Sequence, residues 1–224
     1  MTLSIVARCS STGQFGVAAI TAVPAVGKLL AHAAARTGAI ATQARVNPYL
    51  GIDGIALLRD ELNADEVLQR LKGADPRIEA RQLAIVDAEG RTAAFTGCEC
   101  LAWAGALAGE GFSVQGNRLE GPAVLEAAAT AFRQHAAMPL PARLIEALVA
   151  GYAAGGDRHD EESAAVYVVD TEDYPLWDVR VDQHAQPLAE LRRLYAVFRE
   201  RLLPEILRMP TRANPAGAPE EHEI

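Results

Sequence analysis

The chain has 224 residues, of which 50% are hydrophobic and 22% are charged, and its formal net charge is −8. Such a composition is typical of a globular protein with a sizeable core. Because Lys and Arg form no cluster outside the last predicted helix, we expect binding neither to nucleic acid nor to a membrane surface.

Targeting segments and disulfide frameworks are not predicted either. No apolar run reaches the roughly 18 residues of a membrane span, and the start lacks the pattern of a signal peptide. Three cysteines, Cys9, Cys98 and Cys100, are too few for a disulfide scaffold. We therefore expect a cytoplasmic protein.

Most of the predicted strands come in pairs joined by short turns, as in consecutive β-hairpins. The apolar, β-favouring runs cover residues 2–9 and 15–21, 38–44, 81–87 and 91–97, and 163–170 and 176–182. Helices are predicted between these runs from apolar spacing and from Gly or Pro near their ends. They cover residues 25–36, 51–60, 64–72, 122–135, 142–154 and 188–202.

The order of these elements predicts the fold class. Hairpins separated by helix pairs, rather than strict βαβ alternation, favour an α+β fold with mainly antiparallel sheets covered by helices. We predict one domain over residues 1–208. Residues 209–224 are rich in Pro, Ala and Glu, and are predicted to form a disordered tail.

The first candidate for chemistry is Thr2, directly behind the initiator methionine. If Met1 is removed, Thr2 carries a hydroxyl nucleophile and a free α-amine, whose ordinary pKa of about 8 lets it accept the hydroxyl proton. Such a site needs no histidine, and the five histidines form no recognisable triad. The alternative is that Thr2 is simply a good strand former.

Two further segments carry side-chain amides. Gln43 and Asn47 lie at the end of the predicted strand 38–44, and Gln115, Gly116 and Asn117 lie in a turn predicted over residues 113–117. Amide groups and the N–H of a glycine can stabilise an oxyanion or hold substrate. The structural alternative is that these residues cap turns.

The acidic loop at residues 155–163 contains Asp157, which follows two glycines and is a candidate to point back toward a site. The loop lacks the spacing of a calcium-binding loop, and a solvated connection is the simpler interpretation.

Phosphate-binding, dinucleotide-binding and zinc-protease motifs are missing from the sequence. We therefore expect neither a metal nor another cofactor.

Several segments, taken in order, resemble one family. They are MTLSIVARCSSTGQFGVAA, GAIATQARVNP, RQLAIVDAEGRTAAFTG, the WAG at 103–105, VQGN, AGYAAGGDR and VDQHAQPLAELRRL. This ordered set is similar to family 1028 among domains of unknown function, which is placed with the N-terminal-nucleophile (Ntn) hydrolases. The resemblance covers roughly residues 1–200.

The resemblance implies an αββα sandwich, in which two stacked antiparallel sheets lie between helix layers. It also implies that Thr2 lies where Ntn enzymes carry their nucleophile, at the head of the first strand. Ser4, on the same strand face, would be a helper or an alternative nucleophile. A homodimer is expected by analogy.

The sequence departs from the family pattern at two places. Ala106 stands where a histidine usually follows the WAG, and residues 159–162 replace an Arg-Gly-Gln stretch. These departures leave two hypotheses. The first is an amidohydrolase that cleaves a small or peptide-like substrate with Thr2. The alternative is an inactive Ntn-fold protein that binds a small molecule or self-associates.

Overall fold

Two antiparallel sheets form the centre of the computed structural model, which describes residues 1–155 and 161–218. Their strands are β1 Thr2–Arg8, β2 Phe15–Thr21, β3 Ala31–Ala34, β4 Gly38–Ala44, β5 Arg81–Asp87, β6 Thr92–Thr96, β7 Gly105–Gly109, β8 Phe112–Asn117, β9 Ser163–Val169 and β10 Trp177–Val181. The helices are α1 Pro48–Arg59, α2 Ala64–Ala74, α3 Ala123–Gln134, α4 Leu140–Ala153, α5 Pro187–Arg201 and α6 Leu203–Ile206.

The larger sheet has the strand order β10-β9-β2-β1-β8-β7, and the smaller has the order β3-β4-β5-β6. Every neighbouring pair is antiparallel. Hairpins and helix pairs alternate along the chain, as the sequence indicates, and the prediction of an α+β fold with mainly antiparallel sheets is confirmed.

Because side chains alternate along each strand, the apolar residues on its two faces pack in two different apolar clusters. In β1, Leu3 and Ile5 pack in a cluster that includes apolar residues of α3, α4 and α5. Val6, on the opposite face, belongs to a second cluster shared by the two sheets. A third cluster joins the smaller sheet to α1 and α2.

Close approach of α4 to β1 depends on a small residue. A Cβ at Gly151 would lie 2.7 Å from Leu3 Cδ2 and 3.1 Å from Ala128 Cβ. Any side chain at position 151 would therefore push α4 away from β1 and α3. This contact holds the first strand, which carries Thr2, firmly against the helices.

The helix predicted over residues 25–36 is wrong. A short 3-10 turn, Val26–Lys28, is followed by β3, which pairs with β4 at the edge of the smaller sheet. Alanine and leucine favour a helix locally, but packing overrides this preference. A Cβ at Gly27 would lie only 2.7 Å from Ala165 Cβ, so this segment is pressed flat against β9.

The turn predicted at residues 113–117 is also wrong, because this segment is β8, which pairs with β1 and β7. Strand β7 was not predicted. Its sequence, GALAG, lacks the β-branched and aromatic residues by which strands are recognised. Its pairing with β8 makes it the edge of the larger sheet.

Residues 209–218, which composition predicts to belong to a disordered tail, make hydrogen bonds to the loop after β9. The Tyr174 hydroxyl donates to the Pro210 carbonyl at 3.1 Å, and the Arg212 backbone N–H donates to Glu172 at the same distance. The single domain over residues 1–208 stays a prediction.

Among the described residues, no helix is long and apolar enough to cross a membrane.

Candidate active site

The space between the two sheets changes from apolar to polar toward the end where Thr2 lies. In β1, Val6 is followed outward by Ser4 and Thr2, all on the same strand face. In β2, β4, β5 and β8, the outermost residue on the face toward the opposite sheet is likewise polar. These residues are Thr21 in β2, Gln43 in β4, Gln82 in β5 and Asn117 in β8.

Thr2 stands between two strand partners, because its Cα is in register with Thr21 on one side and Asn117 on the other. Its hydroxyl lies 3.0 Å from the Thr21 hydroxyl. The Thr21 hydroxyl donates its single proton to the Met1 carbonyl at 2.7 Å. The Thr2 hydroxyl is therefore the donor to Thr21, since a hydroxyl has one proton to give.

Thr21 was not singled out from the sequence. The signal was present, because a hairpin between 2–9 and 15–21 places the first residue of one strand beside the last residue of the other. In the structure this pairing runs from Arg8 and Phe15 at the turn to Thr2 and Thr21 at the open end.

A cavity of about 800 Å³ opens at this end of the sheets. Thr2, Thr21 and Asn117 line it, together with Met1 and the backbone segments that follow β2, β4 and β8. None of its described lining residues is a histidine. A nucleophile at Thr2 would therefore need another base, which a free α-amine could supply.

Cys100 is the second side chain in the cavity that could attack a carbonyl. Burial raises the pKa of its thiol, which donates a hydrogen bond to the Arg81 carbonyl at 3.3 Å. Since the thiolate is the reactive form of cysteine, a raised pKa makes Cys100 a poor nucleophile at neutral pH.

Arg45 after β4 and Arg118 after β8 line the cavity, as do the acidic residues Glu99 and Glu162. The backbone is left-handed at both places, with φ of 66° at Ala44 and 57° at Arg118. Among the described residues, neither guanidinium has a carboxylate within salt-bridge distance. Both are exposed and can bind an anionic group of a ligand.

Beneath the cavity lies a buried amide cluster, which we define as Ser4, Gln43, Gln82, Gln115 and Asn117. The Ser4 hydroxyl donates to Gln43 Oε1 at 2.5 Å and accepts from Gln115 Nε2 at 2.6 Å. Ser4 is fully buried, so it supports the site from below rather than facing substrate.

Gln82 is the centre of the buried amide cluster, although nothing in the sequence singles it out. Its Oε1 accepts from Gln43 Nε2 at 2.7 Å and from Asn117 Nδ2 at 3.1 Å. The two protons of its Nε2 are shared among three acceptors within hydrogen-bond distance, the Gly116 carbonyl at 2.9 Å, the Thr96 hydroxyl at 2.9 Å and the Gly105 carbonyl at 3.1 Å. Gln82 thus fixes Asn117 beside Thr2.

The remaining predicted site residues lie in different places. Gly116 is inside β8, where a Cβ would lie 2.7 Å from Leu119 Cδ1 and 3.0 Å from the Thr2 carbonyl oxygen, so its absence lets β1 approach. Ala106 is exposed in β7, opposite Gln115, and is not one of the cavity's lining residues. Asp157 lies outside the described residues, as do residues 159 and 160.

Asn47 is at the N-terminus of α1, away from the cavity lining. Its Oδ1 accepts from the Tyr49 N–H at 3.2 Å, and its Nδ2 donates to the buried Asp75 at 2.9 Å. Arg81 also donates to Asp75, at 3.0 Å. Burial alone would raise the Asp75 pKa, but the hydrogen bonds from Asn47, Arg77 N–H and Arg81 outweigh it and lower that pKa.

Asp75→Asn should therefore lower the free energy of unfolding by about 1–3 kcal/mol at neutral pH. Because the folded pKa is depressed, the loss is complete above the unfolded value of about 3.9 and shrinks as pH falls through the folded pKa. Urea denaturation at several pH values measures this, with the exposed Asp53→Asn as control. An Asp75→Asn deficit that is constant down to pH 2 would contradict the assignment.

Fold and cavity together define an α+β protein with two antiparallel sheets and a polar cavity at the head of its first strand. The chain belongs to DUF1028, a family of unknown function, whose pattern matches residues 2–191. The predicted membership of family 1028 is thereby confirmed, and its placement with the Ntn hydrolases stays a prediction.

A protein of the same family, SPO2555 from Silicibacter pomeroyi, has a similar crystal structure. The two chains are 28% identical, with a TM-score of 0.90, and the match covers 100% of this chain and 97% of the other. Curated proteins yielded no match to the chain. Within the described residues, no group of three or more His, Cys, Asp or Glu side chains could hold a metal ion.

Proposed function

We propose that the protein is an Ntn-type amidohydrolase in which Thr2, freed by removal of Met1, is the nucleophile. The observation that carries this proposal is the position of Thr2 at the head of β1, with its hydroxyl at a cavity of about 800 Å³. The apolar clusters on both sides of each sheet support assignment of the fold to the Ntn αββα sandwich.

The mechanism follows from the groups at the chain start. Thr2 Oγ1 forms a bond to the substrate carbonyl carbon, and its proton passes to the Thr2 α-amine. The ammonium then gives this proton to the leaving nitrogen as the C–N bond breaks, leaving an ester on Thr2. Water attacks the ester by the same route in reverse, which releases the acid and restores Thr2.

The cavity lining carries charges of both signs, because Arg45 and Arg118 are accompanied there by Glu99 and Glu162. A small or peptide-like amide with polar or charged groups suits this lining. Metal and other cofactors play no part in this proposal. A cytoplasmic homodimer stays a prediction.

Burial of Met1 decides when it can be removed. Met1 is 4% exposed, and its carbonyl is held by Thr21. We therefore predict that methionine aminopeptidase removes Met1 from the emerging or unfolded chain, and that the folded protein resists it. Intact-mass measurement after treating folded and urea-unfolded protein checks this, and rapid trimming of the folded form would contradict it.

A substrate-independent test of the proposal uses a β-lactone, which acylates nucleophilic hydroxyls. Two wild-type chains are compared, each released from the same type of N-terminal fusion. The first begins at Thr2 and the second at Met1. The first should gain one acyl group, mapped to Thr2, and should hydrolyse members of an acyl-anilide library; the second should do neither. Equal labelling of both chains, or labelling elsewhere, would refute the proposal.

The second candidate function is the inactive binding or self-associating protein. The burial of Met1 in an apolar cluster favours it, because a permanently retained Met1 would complete that core. In that case the Thr2 nitrogen is an amide without basicity. The chain beginning at Thr2 would then be less stable than the one beginning at Met1 and would cleave no amide.

A further inference from the structure

Met1 contacts the protein as a bound ligand would. Its carbonyl oxygen accepts hydrogen bonds from the Thr21 hydroxyl at 2.7 Å and from the Ala22 backbone N–H at 3.4 Å. Two donors that converge on one carbonyl oxygen are the arrangement that stabilises negative charge on that oxygen during acyl transfer. The Thr21 oxygen is also 3.0 Å from Thr2 Oγ1, so this carbonyl position adjoins the proposed nucleophile.

The Met1 side chain is inserted into the protein. It is 4% exposed and belongs to the same apolar cluster as Leu3 and Leu119, yet Met1 also lines the cavity beside Thr2. Removal of Met1 would leave a space with apolar walls that opens on this cavity. Such a space weakens the fold, since its walls lose their packing contacts, and an apolar group that fills it restores them.

We propose that the space of Met1 is the acyl subsite of the enzyme, an inference that rests on the proposed function. The substrate carbonyl oxygen lies next to the position of the Met1 carbonyl oxygen, displaced toward Thr2 Oγ1 because it is not bonded to the Thr2 nitrogen, and it faces Thr21 Oγ1 and Ala22 N–H. The acyl chain takes the place of the Met1 side chain. The substrates are thus amides of unbranched apolar acids about as long as methionine.

The same arrangement assigns Thr21 its part in the reaction. With Met1 present, the Thr21 proton is directed to the Met1 carbonyl. With substrate in that place, the electron pair that Thr2 Oγ1 displaces from the C=O bond moves onto the carbonyl oxygen, where Thr21 and Ala22 donate to it. The proton of Thr2 still goes to the α-amine and then to the leaving nitrogen.

A binding experiment separates this inference from catalysis. Thr2→Ala is prepared as a chain beginning at residue 2, and as a chain that retains Met1, both released from the same fusion. Acetamide, butanamide and hexanamide are titrated by calorimetry, with 3,3-dimethylbutanamide as a branched isomer of hexanamide. Thr2→Val, an isostere without the hydroxyl, replaces Thr2→Ala if that variant does not fold.

In the chain without Met1, the affinity should rise about fourfold for each added methylene up to hexanamide, as burial of a methylene predicts. Hexanamide should also raise the Tm of that chain, and the branched isomer should bind more weakly than hexanamide. The chain that retains Met1 should show none of these effects. Equal affinity along the series, no binding, or equal binding to both chains would overturn the inference.

The outcomes also separate the inference from the proposed function. If amide binding depends on the length of the acyl group but wild-type protein without Met1 hydrolyses no amide, the amidohydrolase proposal fails and the proposed acyl subsite stands. If wild-type protein cleaves acetyl and hexanoyl anilides at equal kcat/KM, the amidohydrolase stands and the subsite fails.

Discussion

Thr2→Ala should lower the hydrolysis of acyl anilides by about a thousandfold or more while leaving the fold intact, because it removes the attacking oxygen. Thr2→Ser keeps a hydroxyl and an α-amine at the same place, and its activity should stay within about tenfold of wild type. Both small side chains permit removal of Met1, so the two variants differ in the nucleophile alone. Hydrolysis of the fastest anilide by chains without Met1 measures the difference.

The wild-type cavity also holds Cys100, and Cys100→Ser is the matched control for Thr2→Ala. It removes the other potential nucleophile, whose pKa is raised by burial, and should change kcat/KM less than about threefold. Thermal unfolding of each variant excludes a loss of structure. If Thr2→Ala retained wild-type activity, or if Cys100→Ser abolished it, Thr2 would not be the nucleophile.

Gln82→Leu should have the largest effect on stability, with the free energy of unfolding lowered by about 3–5 kcal/mol. Leucine matches glutamine in size, but it leaves the buried amides of Gln43 and Asn117 without their acceptor. It also removes the donor to the carbonyls of Gly105 and Gly116. Urea denaturation measures the loss.

The exposed Gln186→Ala is the control for this variant, since its side chain is at the surface, and it should change stability by less than about 0.5 kcal/mol. Gln82→Leu should also reduce the rate of β-lactone labelling at Thr2, because Asn117 loses the bond that holds it beside Thr2. If Gln82→Leu lowered the free energy of unfolding by less than about 1 kcal/mol, the buried amide cluster would not stabilise the packing of the two sheets.

The first hairpin shows how much of the site the sequence contains. The runs 2–9 and 15–21 with the turn between them determine the pairing of β1 and β2, and this pairing alone places Thr21 beside Thr2. The start of α2 is likewise accessible, because Asn63 caps it through local hydrogen bonds. The helix predicted over 51–60 begins three residues after the observed start of α1 at Pro48. Local signals of this kind need no knowledge of the rest of the chain.

The buried amide cluster could not be predicted in the same way. Gln43 was selected as a polar residue at a strand end, but its partners Ser4 and Gln82 are each 39 residues away in sequence. The register of β4 with β5, and the facing of the two sheets, decide that these amides meet. A single sequence contains no direct signal of either.

In residues 25–36, by contrast, the local preference for a helix is misleading. The alanines of this segment fit a helix, but they pair with β4 as an edge strand and pack against the second apolar cluster. Small side chains let this strand lie close to the larger sheet, so the same residues that favour a helix in isolation serve close packing here.

The most direct measurement is the intact mass of the protein purified from its native host. Every step proposed for the site depends on a free α-amine at Thr2, and burial of Met1 in the folded chain means that its removal must precede folding. We expect a single species lighter than the full sequence by one methionine residue. A native protein that retains Met1 throughout would contradict the proposed mechanism.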